Sequence, residues 1–419
     1  MSGNVSGLLG SGLVLQNNAG DDLAIAANGN FSFPTKLLGG AGYAVTVKAQ
    51  SRILTRVCTV SNGVGTVANA AVTNVAVNCA APAARFAYVT NTGSNNLFPY
   101  TINAGTGALS SVAGPMVGTG RGPISIAVDP TGRFAYVTNS LDNNVSAYSI
   151  DAGTGALNPM AVPTVATGAF PYAITVEPTG RFAYVTNRVS NNVSAYTIDA
   201  STGALTSMAG PMVATGDGPV SITVEPTGRF AYVANAHDND VSAYSIDAST
   251  GALSPMAVPR VAAGTFPNSI AVDPTGRFAY VANLGSDNLS AYAIDASTGA
   301  LIPMAGTMVG TGRGPTAAAV DPTGRFAYVP NADDDTVSAY AIDASTGALI
   351  PMAVPKVATR NFPYFVAVDP TGRFAYVLNN EPKDVSVYTI DANSGALSPV
   401  AVPPVATGGI NPMSFVLSR

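Results

Sequence analysis

The string Arg-Phe-Ala-Tyr-Val begins at Arg85, Arg133, Arg181, Arg229, Arg277, Arg325 and Arg373, always 48 residues apart. A repeat this regular implies neighbouring copies of one small unit, none large enough to bury its apolar face alone. Each period holds only strand and turn signals. In one copy, Pro123-Ile-Ser-Ile-Ala-Val128 reads as a short strand, A. Asp129-Pro-Thr-Gly132 reads as a tight turn, in which Pro presets φ and Gly takes the left-handed position. Strand B covers 133–139, a polar loop 140–143 and strand C 144–150. A second turn, Asp151-Ala-Gly-Thr-Gly155, leads into strand D at 156–162. Strand D contains Pro159 and is followed by Pro163. Proline has no N–H to give to a neighbouring strand, so D is the outer edge and A the inner strand. The prolines also discourage edge-to-edge association. Four strands per 40 to 50 residues is the signature of a propeller blade.

The count closes a ring. No A-type strand precedes Arg85, and an extra one, Pro412-Met-Ser-Phe-Val-Leu417, follows the seventh D strand. The expected fold is all-β: a seven-bladed β-propeller over 81–419, with the C-terminal strand completing the first blade. The outer strands alternate between AGPMV (113–117) and AVPTV (161–165) types, which makes a 96-residue pair the effective unit. Seven is odd, so two AVP blades must meet where the ring closes.

Residues 1–80 lack the repeat. Alternating stretches such as 11–16, 22–26 and 43–48, separated by Asn/Gly turns, predict a small immunoglobulin-like β-sandwich. The only cysteines, Cys58 and Cys79, flank a strand-turn-strand segment. Their spacing does not suit a metal site and no His lies near, so a disulfide is expected, and with it an extracytoplasmic location. No signal peptide is visible after Met1. No apolar run reaches the roughly 18 to 20 residues of a membrane helix. Charged residues are only 10% and the net charge is −5, which argues against a nucleic-acid partner.

The blade text Asp-Pro-Thr-Gly-Arg-Phe-Ala-Tyr-Val-Thr-Asn (129–139), followed by Asn-Val-Ser-Ala-Tyr (144–148), resembles the YVTN-repeat propellers. It is also similar to the seven-bladed lactonase family, which includes 6-phosphogluconolactonase-type enzymes. The resemblance covers 85–419 and implies the fold, with lactone hydrolysis as an activity. It further implies His, Glu and Arg groups around the central funnel. This chain departs from that pattern. Its single His is His237, and Glu177 and Glu225 stand where Asp129, Asp273, Asp321 and Asp369 occupy the A–B turn. No catalytic residue carries over by position. The N-terminal segment resembles small sandwich modules of exported bacterial proteins.

Residues that repeat build blades, so function is sought where the copies differ. The A–B and C–D turns are nearly invariant, whereas the D–A and B–C loops vary, and in propellers these loops share the ligand face. Candidate binding residues there are Arg121, Asp217 and Arg313 from one blade class. The other class offers Phe170, Phe266, Phe362, Tyr172, Tyr364 and Asn268, and a B–C loop adds His237. Aromatic groups beside Asp, Asn and Arg suit a small molecule, a glycan or a peptide. The phenylalanines, each preceding a proline, equally suit plugs between blades. Asp333, Asp334 and Asp335 have the oxygen chemistry for calcium but lack a known binding-loop spacing. No metal or cofactor is expected. A single His leaves few groups for acid–base chemistry, so the leading expectation is a non-catalytic binding or scaffold module. The alternatives are a lactonase-type hydrolase and a subunit of a surface assembly joined through the N-terminal domain.

Overall fold

The computed structural model describes every residue except 54, 69, 113–115 and 211, and the side chains of 305 and 307. The chain divides into two compact units, Met1–Pro82 and Ala83–Arg419.

In the first unit, two four-stranded sheets surround one apolar core that includes Val5, Leu13, Leu15, Val45, Val75 and Val77. The alternation read at 11–16, 22–26 and 43–48 becomes the strands Leu13–Asn17, Asp21–Ile25 and Gly42–Ala49, hydrogen-bonded in one sheet. In the other sheet Val57–Ser61 pairs with Val75–Ala80, setting Cys58 directly opposite Cys79, and the two form a disulfide.

The second unit consists of seven sheets, one per blade, each in A-B-C-D order. In blade 2 the strands are Pro123–Val128, Phe134–Asn139, Asn144–Ile150 and Leu157–Ala166. Strand B is buried along its whole length, because both of its faces meet another blade. The repeated pentapeptide explains how. Alternate side chains on a strand point to opposite faces. Phe134 and Tyr136 therefore pack on Ala183 and Val185 of blade 3, while Ala135 and Val137 receive Phe86 and Tyr88 of blade 1. The same large-on-small mesh recurs at every interface, ending with Phe374 and Tyr376 on Ala87 and Val89. Each such aromatic contributes about 1.5–3 kcal/mol by burial.

The ring closes as the strand count requires. Pro412–Ser418 pairs with Phe86–Asn91 as the inner strand of blade 1, and Phe415 stacks on Tyr376 of blade 7 at 5.5 Å. Two details differ from the sequence reading. The inner strand of blade 6 is reduced to Ala319–Val320 plus a bridge from Pro315 to Asn331. The outer strand, read as alternating between two types around the ring, is continuous in blades 2, 4, 5 and 6 and split in blades 1, 3 and 7. In blade 7 Pro403-Pro404 breaks the strand, whereas Val162-Pro163 in blade 2 or Gly306-Thr307 in blade 5 does not. A lone missing N–H is absorbed by a register shift, between Ser146 and Tyr148 in blade 2.

Candidate functional site

The residue after the proline that opens each inner-strand segment forms a ring around the funnel mouth: Met413, Ile124, Tyr172, Val220, Asn268, Thr316 and Tyr364, in blade order. They line a cavity of about 280 Å³. The ring is mixed, with apolar side chains at Met413, Ile124 and Val220 and polar ones at Tyr172, Asn268, Thr316 and Tyr364. The Tyr172 and Tyr364 hydroxyls, on blades 3 and 7, meet at 3.3 Å. Asn268 Nδ2 donates to the Thr316 carbonyl at 2.6 Å. Desolvation, reinforced by the neighbouring Tyr172, pushes the Tyr364 phenol well above its ordinary value, so it stays a proton donor.

The inner-strand serines are staples. Ser125, Ser221 and Ser269 Oγ accept from the N–H of Ile174, Ile270 and Ala318 on the following blade, at 3.4, 3.2 and 3.3 Å.

A basic and acidic group stands beside the tyrosines. The Arg188 guanidinium lies over the Tyr172 ring, 5.6 Å from its centroid. Its Nη2 is 3.5 Å from His237 Nε2. On the other side of the imidazole, Nδ1 is 3.4 Å from Asp217 Oδ2. These contacts fit the tautomer protonated at Nδ1, which donates to Asp217 and leaves Nε2 as the acceptor. The Phe266 ring lies 6.0 Å from the imidazole. His237 is half-exposed, and its contacts join Asp217 to Arg188 beside the Tyr172 ring. The partner of His237 is not its neighbour Asp238, whose carboxylate is taken by the Asp217 N–H and by Arg260. Adjacent loop residues diverge here, whereas loops of adjacent blades converge.

Other predicted residues go elsewhere. Arg121 and Arg313, read as candidate binding residues, each hold a carboxylate: Arg121 Nε to Asp142 at 2.7 Å and Arg313 Nε to Asp334 at 2.8 Å. Their bonds to these partners, 21 residues along the chain, fold the B–C loop onto the D–A loop. Asp334 also meets Lys356, and Asp335 accepts the Phe362 N–H at 2.9 Å, so the acidic triplet is dispersed over separate bonds. Phe170, Phe266 and Phe362 have φ of 56°, 53° and 54°. Glycine fills the same position in blades 2, 4 and 6, with Gly122, Gly218 and Gly314 at 68°, 66° and 66°. The backbone is held there because its N–H donates to an Asn or Asp of the preceding blade, as Phe170 does to Asn143 at 2.9 Å. A bulky residue in this region is strained. The phenylalanines do not line the cavity and are not buried plugs. Phe362 is 40% exposed.

Arg188 and Thr316 were not singled out from the sequence. Arg188 follows strand B at a position held by Thr92, Ser140, Ala236, Leu284, Ala332 and Asn380 in the other blades. That it is the one charged residue among them is the signal.

A family model described as a seven-bladed β-propeller lactonase matches residues 44–267 and 259–419. No curated protein matches the chain. Among solved structures, a putative 6-phosphogluconolactonase from Bacteroides fragilis is 18% identical, with a TM-score of 0.70 over 80% of this chain and 98% of that one. A periplasmic gluconolactonase from Pseudomonas aeruginosa is 20% identical, with a TM-score of 0.68 over 80% and 99%. A Lactobacillus plantarum protein is 22% identical, with a TM-score of 0.68 over 81% and 100%. At such identities the solved structures share the fold, and the family model adds lineage over both of its matched spans: the chain belongs to the seven-bladed β-propeller lactonase family.

Proposed function

We propose that the protein hydrolyses a sugar lactone at the funnel mouth. The observation that carries this reading is the Asp217–His237–Arg188 relay beside Tyr172 and Tyr364. Family membership favours it over the non-catalytic module, which the sequence expectation had placed first because a single His leaves few groups for acid–base chemistry.

In this reading His237 Nε2 takes a proton from water, whose oxygen attacks the lactone carbonyl carbon. Asp217 holds the ring in the required tautomer and stabilises the imidazolium. Arg188 leaves Nε2 to donate to the carbonyl oxygen, where negative charge develops. The ring C–O bond then breaks, and the imidazolium returns its proton to the departing alkoxide. The product is an open-chain hydroxy acid. The Cys58–Cys79 bridge supports work in an oxidising compartment.

The test is an assay of purified protein against gluconolactone and 6-phosphogluconolactone. His237→Ala is expected to lower kcat/KM by about 10²–10⁴-fold, Asp217→Asn by less, and Arg121→Ala not at all. Absent turnover, or equal turnover in every variant, would return the protein to the binding-module reading.

A further inference from the structure

Five arginines stand on the D–A and B–C loop face, and four of them are spoken for. Arg121 holds Asp142, Arg260 holds Asp238 and Asp240, Arg313 holds Asp334, and Arg360 holds Asp384. Among the described residues Arg188 is the exception. Its guanidinium meets the Tyr172 ring and His237 Nε2, with no carboxylate of the described residues within ion-pair distance. It is also the one whose guanidinium lies against a residue of the funnel ring, Tyr172.

We propose that Arg188, with the hydroxyls of Tyr172 and Tyr364, seats a single carboxylate, and that the ligand class is therefore the unphosphorylated hydroxy acid and its lactone. This rests on the lactonase reading for its chemistry, though the seat is a binding claim in its own right.

Three features support a monoanion. The first is donor geometry. At 3.3 Å one phenol donates to the other and leaves the second proton unused. A carboxylate can accept from both phenols at once and from the guanidinium, in charge-assisted bonds. Burial keeps the Tyr364 phenol protonated. The second is the makeup of the ring. Ile124, Val220 and Met413 offer no donors, so among the ring side chains only Tyr172, Tyr364, Asn268 and Thr316 can hold an anion. The third is the charge count. One free guanidinium balances one negative charge. A phosphate elsewhere on the ligand would need a second cation. The other arginines of this face are already paired, Lys383 on the blade 7 B–C loop does not line the cavity, and Asp217 stands at the edge of the site. The cavity, about 280 Å³, lies at the small end of ligand pockets (~300–1,000 Å³), as befits a small sugar acid.

The experiment is calorimetric titration of the full chain with gluconate, 6-phosphogluconate and gluconamide, a neutral analogue. Wild type is expected to bind gluconate at least about tenfold more tightly than either competitor, the size of one charge-assisted hydrogen bond. Arg188→Gln should lose about tenfold for gluconate, and Tyr364→Phe and Tyr172→Phe smaller factors, with unchanged melting temperatures. Arg121→Gln should change nothing. The proposal is overturned if 6-phosphogluconate binds as tightly as gluconate, if gluconate binding is indifferent to Arg188→Gln, or if gluconate gives no heat. Arg188-dependent gluconate binding without lactone turnover would keep the seat and sink the hydrolase. Turnover with Arg188-independent gluconate binding would do the reverse.

Discussion

On the face made by the A–B and C–D turns, the blades repeat one set of bonds. Asp129 Oδ1 accepts the N–H groups of Arg133 and Phe134 at 2.7 Å each, and Asp273 and Asp321 repeat the pattern. Glu225 replaces Asp and still accepts the Arg229 N–H at 2.7 Å. Tyr136 reaches the Gly203 carbonyl of the next blade at 2.7 Å, and its counterparts do the same around the ring to Tyr376 and Gly107. Gly203 must be glycine, since a Cβ there would stand 2.4 Å from Phe134. On the opposite face the equivalent positions differ from blade to blade. The funnel ring has six residue types in seven blades, and the residue after strand B is charged only at Arg188. The repeated face shows what holding blades together requires. The varied face is released from that duty and can hold chemistry.

The largest effect that would test this division is loss of the shared closure. Deleting 412–419 removes the inner strand of blade 1 and Phe415 from beneath Tyr376. Burial of Phe415 alone is worth about 1.5–3 kcal/mol, and the flanking interfaces open as well. The melting temperature should fall by tens of degrees or the transition should lose cooperativity. An unchanged melt would mean that the ring is held some other way.

Alkaline pH should strike the scaffold next. Each blade buries a B-strand and a C-strand tyrosine. Desolvation raises their phenols, pushing Tyr196, Tyr244, Tyr292 and Tyr340 up to about 12. An acid whose folded value is raised ionises more readily when unfolded. Its stabilisation is therefore complete below about pH 10 and is lost as pH climbs toward 12. Phenolate absorbance should appear together with loss of structure, in one steep step. Gradual ionisation of a folded ring from about pH 10 would contradict the burial.

The smallest effect belongs to the varied face. His237→Ala and Arg188→Gln should shift stability by no more than about 0.5 kcal/mol, the range for surface changes, as read by urea melts. A loss of several kcal/mol would make these residues part of the scaffold and erase the distinction.

The blades were legible because Phe, Ala, Tyr and Val in fixed alternation admit one mesh between neighbours, and because a surplus inner strand after seven D strands admits one closure. Tyr172, Tyr364, Asn268, Asp217 and His237 were each legible as non-repeating. Their convergence was not, since it joins loops of adjacent blades to inner strands on blades 3, 5 and 7. Arg121 and Arg313 show the same limit. A cation is visible in a sequence, whereas the carboxylate folded back onto it is not. The left-handed backbone at Phe170, Phe266 and Phe362 was hidden because its cause is an Asn or Asp of the preceding blade.

The seam in blade 1 also sets a schedule. Thr90 Oγ1 accepts from the Ser414 N–H, a bond spanning 324 residues. At a synthesis rate of roughly 5–20 residues per second, strand Phe86–Asn91 waits about 16–65 s for its inner partner to be made. Throughout that interval the first blade has an open edge, and six later blades assemble with nothing to close against. Premature termination within the last turn of the ring would thus yield a nearly full-length chain with an unpaired strand at one end, a species suited to capture by chaperones or to joining a second incomplete copy.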